Sequence, residues 1–395
     1  MKLMSVAGAR PNFIKLAAIA RAVEEYNQGY FGDQKKINHI IVHTGQHYDE
    51  KMSKSFFSDL AIPKPDVNLE VGSGSHAVQT SEIMKRFEPI VLAEQPDVLL
   101  VVGDVNSTIA CSLVAAKVEY SNNGRRKRPV IVHVEAGLRS FDYDMPEEIN
   151  RILTDRISDY LFVTEESGIR NLHNEGIVQE KIHFVGNVMI DTLQQHLAKA
   201  RDSHVHKQFD VPLQYGVVTM HRPSNVDSRE NMIPLFNTLA EISIDIPLIF
   251  PIHPRTLSRV QEFGLTNLFN WRKYYGQKKQ SNELSMVNKQ FYVIPPLGYL
   301  DFLSLVSKAR LVVTDSGGLQ EETTYLGIPC ITLRHNTERP VTVDVGSNYL
   351  VGTKPEDILS IIRLVLDGNA KKSVIPKFWD GKAGTRIIDI LTKSF

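Results

Sequence analysis

Two doubly wound α/β domains, each a parallel sheet covered by helices on both faces, are what this sequence predicts. Three observations carry the prediction. Short continuous apolar runs rich in Val, Ile and Leu alternate with longer stretches of helical periodicity, as expected of strands buried on both faces. The runs fall into two series separated by a polar stretch. Most of them end at a turn carrying Gly, Asp, Glu or His, and ligands of open parallel sheets bind beyond the carboxyl ends of the strands.

In the first series, strands are expected at 2–6, 39–43, 97–102, 130–134 and 160–163, with a helix over 12–25 after the first. In the second they are expected at 216–220, 248–251, 291–294, 311–314 and 330–333. The boundary falls within 188–215, where the polar segment 191–215 closes the first series. This gives an N-terminal domain over 1–190 and a C-terminal domain over 191–382, facing a central cleft, with a tail over 383–395 packing back on the first. Two hydrophilic stretches, 121–128 (SNNGRRKR) and 271–289, read as solvated surface loops.

Composition narrows the function classes. The 395 residues are 42% hydrophobic and 23% charged, ordinary for a soluble globular chain. Lys plus Arg and Asp plus Glu are each 45, so the net charge is zero and the footprint of a nucleic-acid binder is missing. A local basic pocket for one small anion stays open. The two cysteines, Cys111 and Cys330, make neither a disulfide framework nor a CxxC motif, and such scarcity suits a reducing compartment. No apolar run approaches the roughly 20 residues of a membrane span, and no leader-like stretch precedes Arg10 and Pro11. A cytoplasmic chain with no membrane partner is expected.

The motifs at the strand ends carry the chemistry. Gly8-Ala9-Arg10-Pro11 opens a helix that bears Lys15, so a sharp turn, a helix N-terminus and two cations meet at one anion-binding mouth. Thr314-Asp315-Ser316-Gly317-Gly318 opens another helix, whose free amides suit a phosphate. Glu321 and Glu322 follow one turn later, where an acid suits ribose hydroxyls. Asp104, Glu135 and Glu147 follow strands of the first series and together can divide general acid and base work. His221-Arg222 and His253-Pro254-Arg255 follow two strands of the second series. Singly, each acid also reads as a cap or turn residue and each histidine as a loop residue. No HExxH, GxxxxGK[ST] or GxGxxG occurs, so no metal, no P-loop hydrolase and no nicotinamide cofactor is expected.

GARPNFIK, HTGQHYDEKM, GDVNST, HVEAGLRS, MPEEINR, HRPSNVD, HPRT, TDSGGLQEE and TERP stand in this order over about residues 1–370. Together they resemble the non-hydrolysing UDP-N-acetylglucosamine 2-epimerase family. The resemblance implies a GT-B glycosyltransferase-like pair of Rossmann-like domains, a homodimer, and a UDP-sugar partner without any cofactor. It places the diphosphate against Arg10, Lys15, His253, Ser316, Gly317, Gly318 and Arg339, the ribose at Glu322 and the uracil near Phe302. It makes Asp104, Glu135 and Glu147 catalytic acids and sets His221 near the leaving group. Gln46 and His47 match a region at which a second UDP-sugar activates the enzyme.

The activity so implied is reversible exchange of UDP-N-acetylglucosamine and UDP-N-acetylmannosamine through a 2-acetamidoglucal, for cell-surface polysaccharide precursors. The chain departs from the family at Ser224, where members often carry an acid, and at Asp49, where bacterial members often carry Gln. Four rivals share the phosphate motifs: a hydrolysing 2-epimerase, an epimerase of another UDP-2-acetamido sugar such as a 2,3-diacetamido uronate, a GT-B glycosyltransferase, and a non-catalytic UDP-sugar sensor.

Overall fold

The apolar runs of both series become buried parallel strands. The structure, a computed structural model, describes residues 1–29, 36–46, 60, 62–122, 125–272 and 290–395. It divides into one unit of Met1–Gln195 with Lys377–Phe395 and another of His196–Pro376.

The first part of the chain forms β1 (Lys2–Ala7), α1 (Arg10–Gln28), β2 (Asn38–His43), β3 (Val67–Asn68), α2 (His76–Glu94), β4 (Val98–Val102) and α3 (Asn106–Ala115). It continues with β5 (Tyr120–Asn122), β6 (Arg125–Lys127), β7 (Val130–Ala136), α4 (Pro146–Ile157), β8 (Tyr160–Val163), α5 (Glu166–Asn174), β9 (Ile182–Phe184) and α6 (Val188–Arg201). Then follow α7 (Val205–Gln208), β10 (Gly216–Thr219), α8 (Pro223–Val226), α9 (Arg229–Asp245), β11 (Leu248–Pro251), α10 (Pro254–Glu262) and β12 (Asn270–Trp271). The last part holds β13 (Phe291–Ile294), α11 (Tyr299–Ser307), β14 (Leu311–Thr314), α12 (Gly317–Leu326), β15 (Cys330–Thr332), α13 (Pro340–Asp344), β16 (Asn348–Leu350), α14 (Pro355–Leu366) and α15 (Ala383–Ser394).

Each unit holds a seven-stranded parallel sheet, in the orders β3-β2-β1-β4-β7-β8-β9 and β12-β13-β11-β10-β14-β15-β16. Both orders run outward from a first strand and then reverse, which is the Rossmann-like topology. The reversal lies between β1 and β4 in one unit and between β10 and β14 in the other. Strand order reverses where ligands bind, so these two places locate the candidate sites.

Packing follows the sequence pattern. Met4, Val6, Leu99 and Val101 of the first sheet bury against Ile83, Phe87 and Val91 of α2. In the second unit Phe236, Phe250, Phe269 and Phe291 form an aromatic cluster, with the Phe269 and Phe291 rings 4.8 Å apart and nearly edge-on. After Pro376 the chain re-enters the first unit, where Trp379 is buried and donates its indole N–H to the Thr164 carbonyl (3.2 Å). The Asp191 carboxylate accepts the first amides of α15, from Ala383 (3.2 Å) and Gly384 (2.8 Å). Gly384 has no side chain because a Cβ there would stand 2.8 Å from the Ala18 carbonyl oxygen of α1.

Two expectations need correction. Part of the 121–128 stretch is not a loop but the antiparallel β5–β6 hairpin. Lys127, the last residue of β6, pairs with Asp97 (2.5 Å), and Arg128 after it with Asp159 (2.7 and 2.8 Å). The stretch 271–289 begins with a strand residue, since Trp271 pairs with Val293; residues 273–289 lie outside the described residues. Among the described residues, no helix is long and apolar enough to cross a membrane.

Candidate active site

In the first unit the site is built where β1, β4 and β7 end. The β1–α1 turn is locked by Asn12, whose Oδ1 accepts the Ala9 amide (3.1 Å) while its Nδ2 donates to the Val102 carbonyl of β4 (2.7 Å). Arg10 opens α1 by its backbone, and its side chain lies outside the described residues. One turn on, the Lys15 ammonium is buried and forms an ion pair with Glu135 Oε2. Glu135, the penultimate residue of β7, has φ 73°, in the left-handed region, at a shift in the β7–β8 register. A bulge there re-aims the side chain, a common device beside active sites. Glu135 is only 3% exposed, and its Oε1 has no hydrogen-bond partner among the described residues. A buried carboxylate oxygen without a partner is costly and points to a ligand or a proton-transfer role.

Gly103 lies over this pair at φ 71°; a Cβ would stand 3.1 Å from Lys15 Nζ and 3.4 Å from Glu135 Oε2. The next residue, Asp104, accepts from Arg151 Nε (2.9 Å) and Nη2 (2.6 Å) of α4. Arg151 also pairs with the buried Glu148, which in turn accepts the amides of Ser140 and Phe141. Glu147 is half-buried in the first turn of α4. Arg151 and Glu148 were missed as site residues, although their i, i+3 spacing in EEINR places them on one helix face. Gln46 is buried, accepting from the Ser107 hydroxyl (2.8 Å) and amide (3.2 Å); His47 lies outside the described residues.

The second unit repeats the device at β10 and β14. Asp315, fully buried, accepts the backbone amides of His221 (3.0 Å) and Arg222 (2.9 Å) and pairs with His221 Nδ1 at 3.0 Å. Burial alone would raise the Asp315 carboxyl, but His221 and the two amides hold it below the usual carboxylate range. His221 keeps 46% of its side chain exposed, so its ring is anchored at one nitrogen while the group stays open to solvent. His253 caps α10, its Nδ1 accepting the Arg255 amide (3.2 Å), and its ring centroid lies 6.4 Å from that of His221.

Ser316 stands at the N-cap position of α12 without a side-chain capping bond, and its amide donates to Thr314 Oγ1 (2.9 Å), so one of the expected phosphate-binding amides is already engaged. Gly317 is a close approach: a Cβ would stand 2.8 Å from Arg339 Nη1. Arg339 is buried and pairs with Glu338 and with Glu321 (3.1 Å). Glu322 is buried beside Tyr299, whose hydroxyl donates to its Oε1 (3.2 Å). Burial and the neighbouring Glu321 push the Glu322 carboxyl up to about 7, against the lowering effect of the Tyr299 hydrogen bond. Phe302, one turn after Tyr299 on α11, is partly buried against the Tyr215, Val306 and Leu319 cluster. Among the described residues, no group of three His, Cys, Asp or Glu side chains is placed to hold a metal ion.

Comparison with known proteins bears on this geometry. The family model described as UDP-N-acetylglucosamine 2-epimerase matches residues 31–392. A UDP-N-acetylglucosamine 2-epimerase of Methanocaldococcus jannaschii is 43% identical over 99% of both chains. A UDP-2,3-diacetamido-2,3-dideoxy-D-glucuronate 2-epimerase of Pseudomonas aeruginosa is 37% identical over the full length of both. The crystal structure of Methanocaldococcus jannaschii UDP-GlcNAc 2-epimerase in complex with UDP-GlcNAc and UDP superposes with a TM-score of 0.84, at 43% identity over the full length of both chains. Two parallel sheets with site residues at their reversal points, a family model spanning most of the chain and full-length relatives agree: the chain belongs to the UDP-N-acetylglucosamine 2-epimerase family.

Proposed function

We propose that the protein interconverts UDP-N-acetylglucosamine and UDP-N-acetylmannosamine without hydrolysis, by eliminating UDP and adding it back. The observation that carries this reading is Glu135: a buried carboxylate held at positive φ, one oxygen on Lys15 and the other without a partner among the described residues.

The chemistry demands such a group. The proton at sugar C2 has no adjacent carbonyl to acidify it. Removing it requires either transient oxidation at C3 or loss of the group at C1. In the second course a carboxylate takes the C2 proton as the C1–O bond breaks. Its electrons leave with UDP, and a C1–C2 double bond forms. UDP then adds back to C1, and a proton arrives at C2 from the opposite face.

Glu135 is the proposed base, with Asp104 and Glu147 as the candidates for the opposite face. His221, held by Asp315, is assigned to the leaving oxygen. Ser316, Gly317, Gly318, His253, Arg10, Lys15 and Arg339 are assigned to the diphosphate, where fixed amides and cations stabilise developing charge. Glu322 takes the ribose hydroxyls and Phe302 lies by the uracil. The same reading takes the working form to be a cytoplasmic homodimer supplying polysaccharide precursors, with a second UDP-sugar at Gln46 and His47.

NMR of UDP-N-acetylglucosamine incubated with the protein in heavy water tests this directly. Expected are UDP-N-acetylmannosamine, deuterium at C2 of both sugars and no free N-acetylmannosamine. Product without C2 deuterium sinks the elimination mechanism, and free sugar with UDP shows a hydrolase. Glu135→Gln is expected to lower turnover by about two to four orders of magnitude, the usual worth of general base assistance, with UDP affinity retained. The full-length Pseudomonas aeruginosa relative favours one second reading, a 2,3-diacetamido uronate as substrate. Parallel turnover of both UDP-sugars decides between them.

A further inference from the structure

The left-handed conformation of Glu135 is intrinsically unfavourable for a residue with a side chain and persists only where its surroundings over-determine it. Those surroundings converge on one carboxylate. Asp155, in the last turn of α4, is fully buried. Its Oδ1 meets Nδ1 of His133, two residues before Glu135, at 2.6 Å. Its Oδ2 accepts the amide of Gly137, two residues after Glu135, at 3.0 Å. The other nitrogen of His133 donates to the Gly103 carbonyl (2.8 Å), beside Asp104. Arg139 donates to Asp155 Oδ2 (2.7 Å) and clasps Glu175 of the turn after α5 (2.7 and 2.8 Å). The Gly137 carbonyl is held in turn by Asn171 Nδ2 (2.9 Å). Burial alone would raise the Asp155 carboxyl, but His133 and Arg139 hold it below the usual range.

We propose that Asp155 is a positioning residue for the reaction: by gripping His133 and Gly137 it holds both flanks of Glu135. The inference rests on the proposed role of Glu135 as base. The side chains of His133, Arg139 and Asp155 are at most 1% exposed, so none of them reaches solvent or a bound sugar. Their contribution is geometric. Gly137 and Arg139 bring N–H donors to its Oδ2, and Nδ1 of His133 faces its Oδ1. An amide at 155 replaces one of the two acceptor oxygens by an NH2, which either faces the Gly137 and Arg139 donors or reverses the polarity of the bond to His133.

The test compares wild type, Glu135→Gln, Asp155→Asn and the double variant for kcat, KM, UDP affinity by calorimetry and thermal midpoint. Misplacing a reacting group by about 1 Å costs on the order of 100-fold, so Asp155→Asn is expected to lower kcat by about that factor. KM and UDP affinity are expected to stay within about twofold, because binding groups elsewhere are untouched. The double variant is expected to be no slower than Glu135→Gln alone, because Asp155 acts through Glu135. Losses that multiply in the double variant overturn the proposal.

Should Asp155→Asn fail to fold, His133→Gln removes one grip only, and a selective loss of kcat is again expected. Wild-type kcat in a folded Asp155→Asn or in His133→Gln, with Glu135→Gln impaired, overturns the positioning role alone. Wild-type kcat in Glu135→Gln overturns the assignment of the base, and this inference with it.

Discussion

Glu322 shows how burial sets the behaviour of a single group. The carboxyl, in the second turn of α12, sits beside Tyr299 and is pushed from 4.5 to about 7 chiefly by burial. The folded state therefore holds its proton over a range in which the unfolded chain has released it. Stability from this group is fully present below about pH 4.5 and is lost as pH rises through about 7. Glu322→Gln removes the titration. The stability of the wild type relative to this variant is expected to fall by about 3 kcal/mol between pH 4 and 8. Denaturant midpoints of both proteins across that range check it, and a constant difference counts against the buried neutral acid. The acid itself was visible in the sequence, in the GGLQEE run. Its partner was not: Tyr299 lies 23 residues earlier, on another helix, and no local pattern links the two.

The turns between strand and helix carry the site, and their geometry is an element-level property. Gly103 follows β4 at φ 71° with Lys15 Nζ and Asn12 Nδ2 each 3.1 Å from where a Cβ would stand. Gly103→Ala imposes a left-handed residue costing about 1–2 kcal/mol and presses on the Lys15–Glu135 pair. We expect a stability loss of that size together with a disproportionate loss of kcat. Wild-type kcat at a temperature well below the midpoint would falsify the link between this turn and the pair. At this scale the long apolar strands were legible, and residues 160–163, 248–251, 291–294 and 311–314 coincide with β8, β11, β13 and β14. The two- and three-residue strands β3, β9, β12 and β16 were not, because so few residues show no period. The β5–β6 hairpin was hidden by its charged sequence; Lys127 at its end meets its carboxylate in Asp97, 30 residues earlier in the chain.

At the scale of the molecule, the chain leaves the first unit at Gln195 and returns to it at Lys377. The returning segment buries Trp379, Ile387, Ile388 and Leu391. At about 1.5–3 kcal/mol for each large apolar side chain, this burial is comparable to the 5–15 kcal/mol that holds a whole domain together. Ending the chain after Pro376 is expected to unfold the first unit while leaving the sheet of the second intact. Limited proteolysis that spares residues 196–376 and digests 1–195 checks it, and resistance of both parts refutes it.

The sequence by itself determined the alternation of strand and helix, the two sheets and the motifs at their ends, because periodicity, turn chemistry and short spacings are local. Only the tertiary structure decided which charges meet. Lys15 finds Glu135 across 120 residues, Arg151 finds Asp104 across 47, and Asp155 reaches back 22 residues to His133. Inside a low-dielectric interior those distances govern whether a carboxylate is paired, held or left with an open oxygen. Chemical role follows from that environment rather than from residue type.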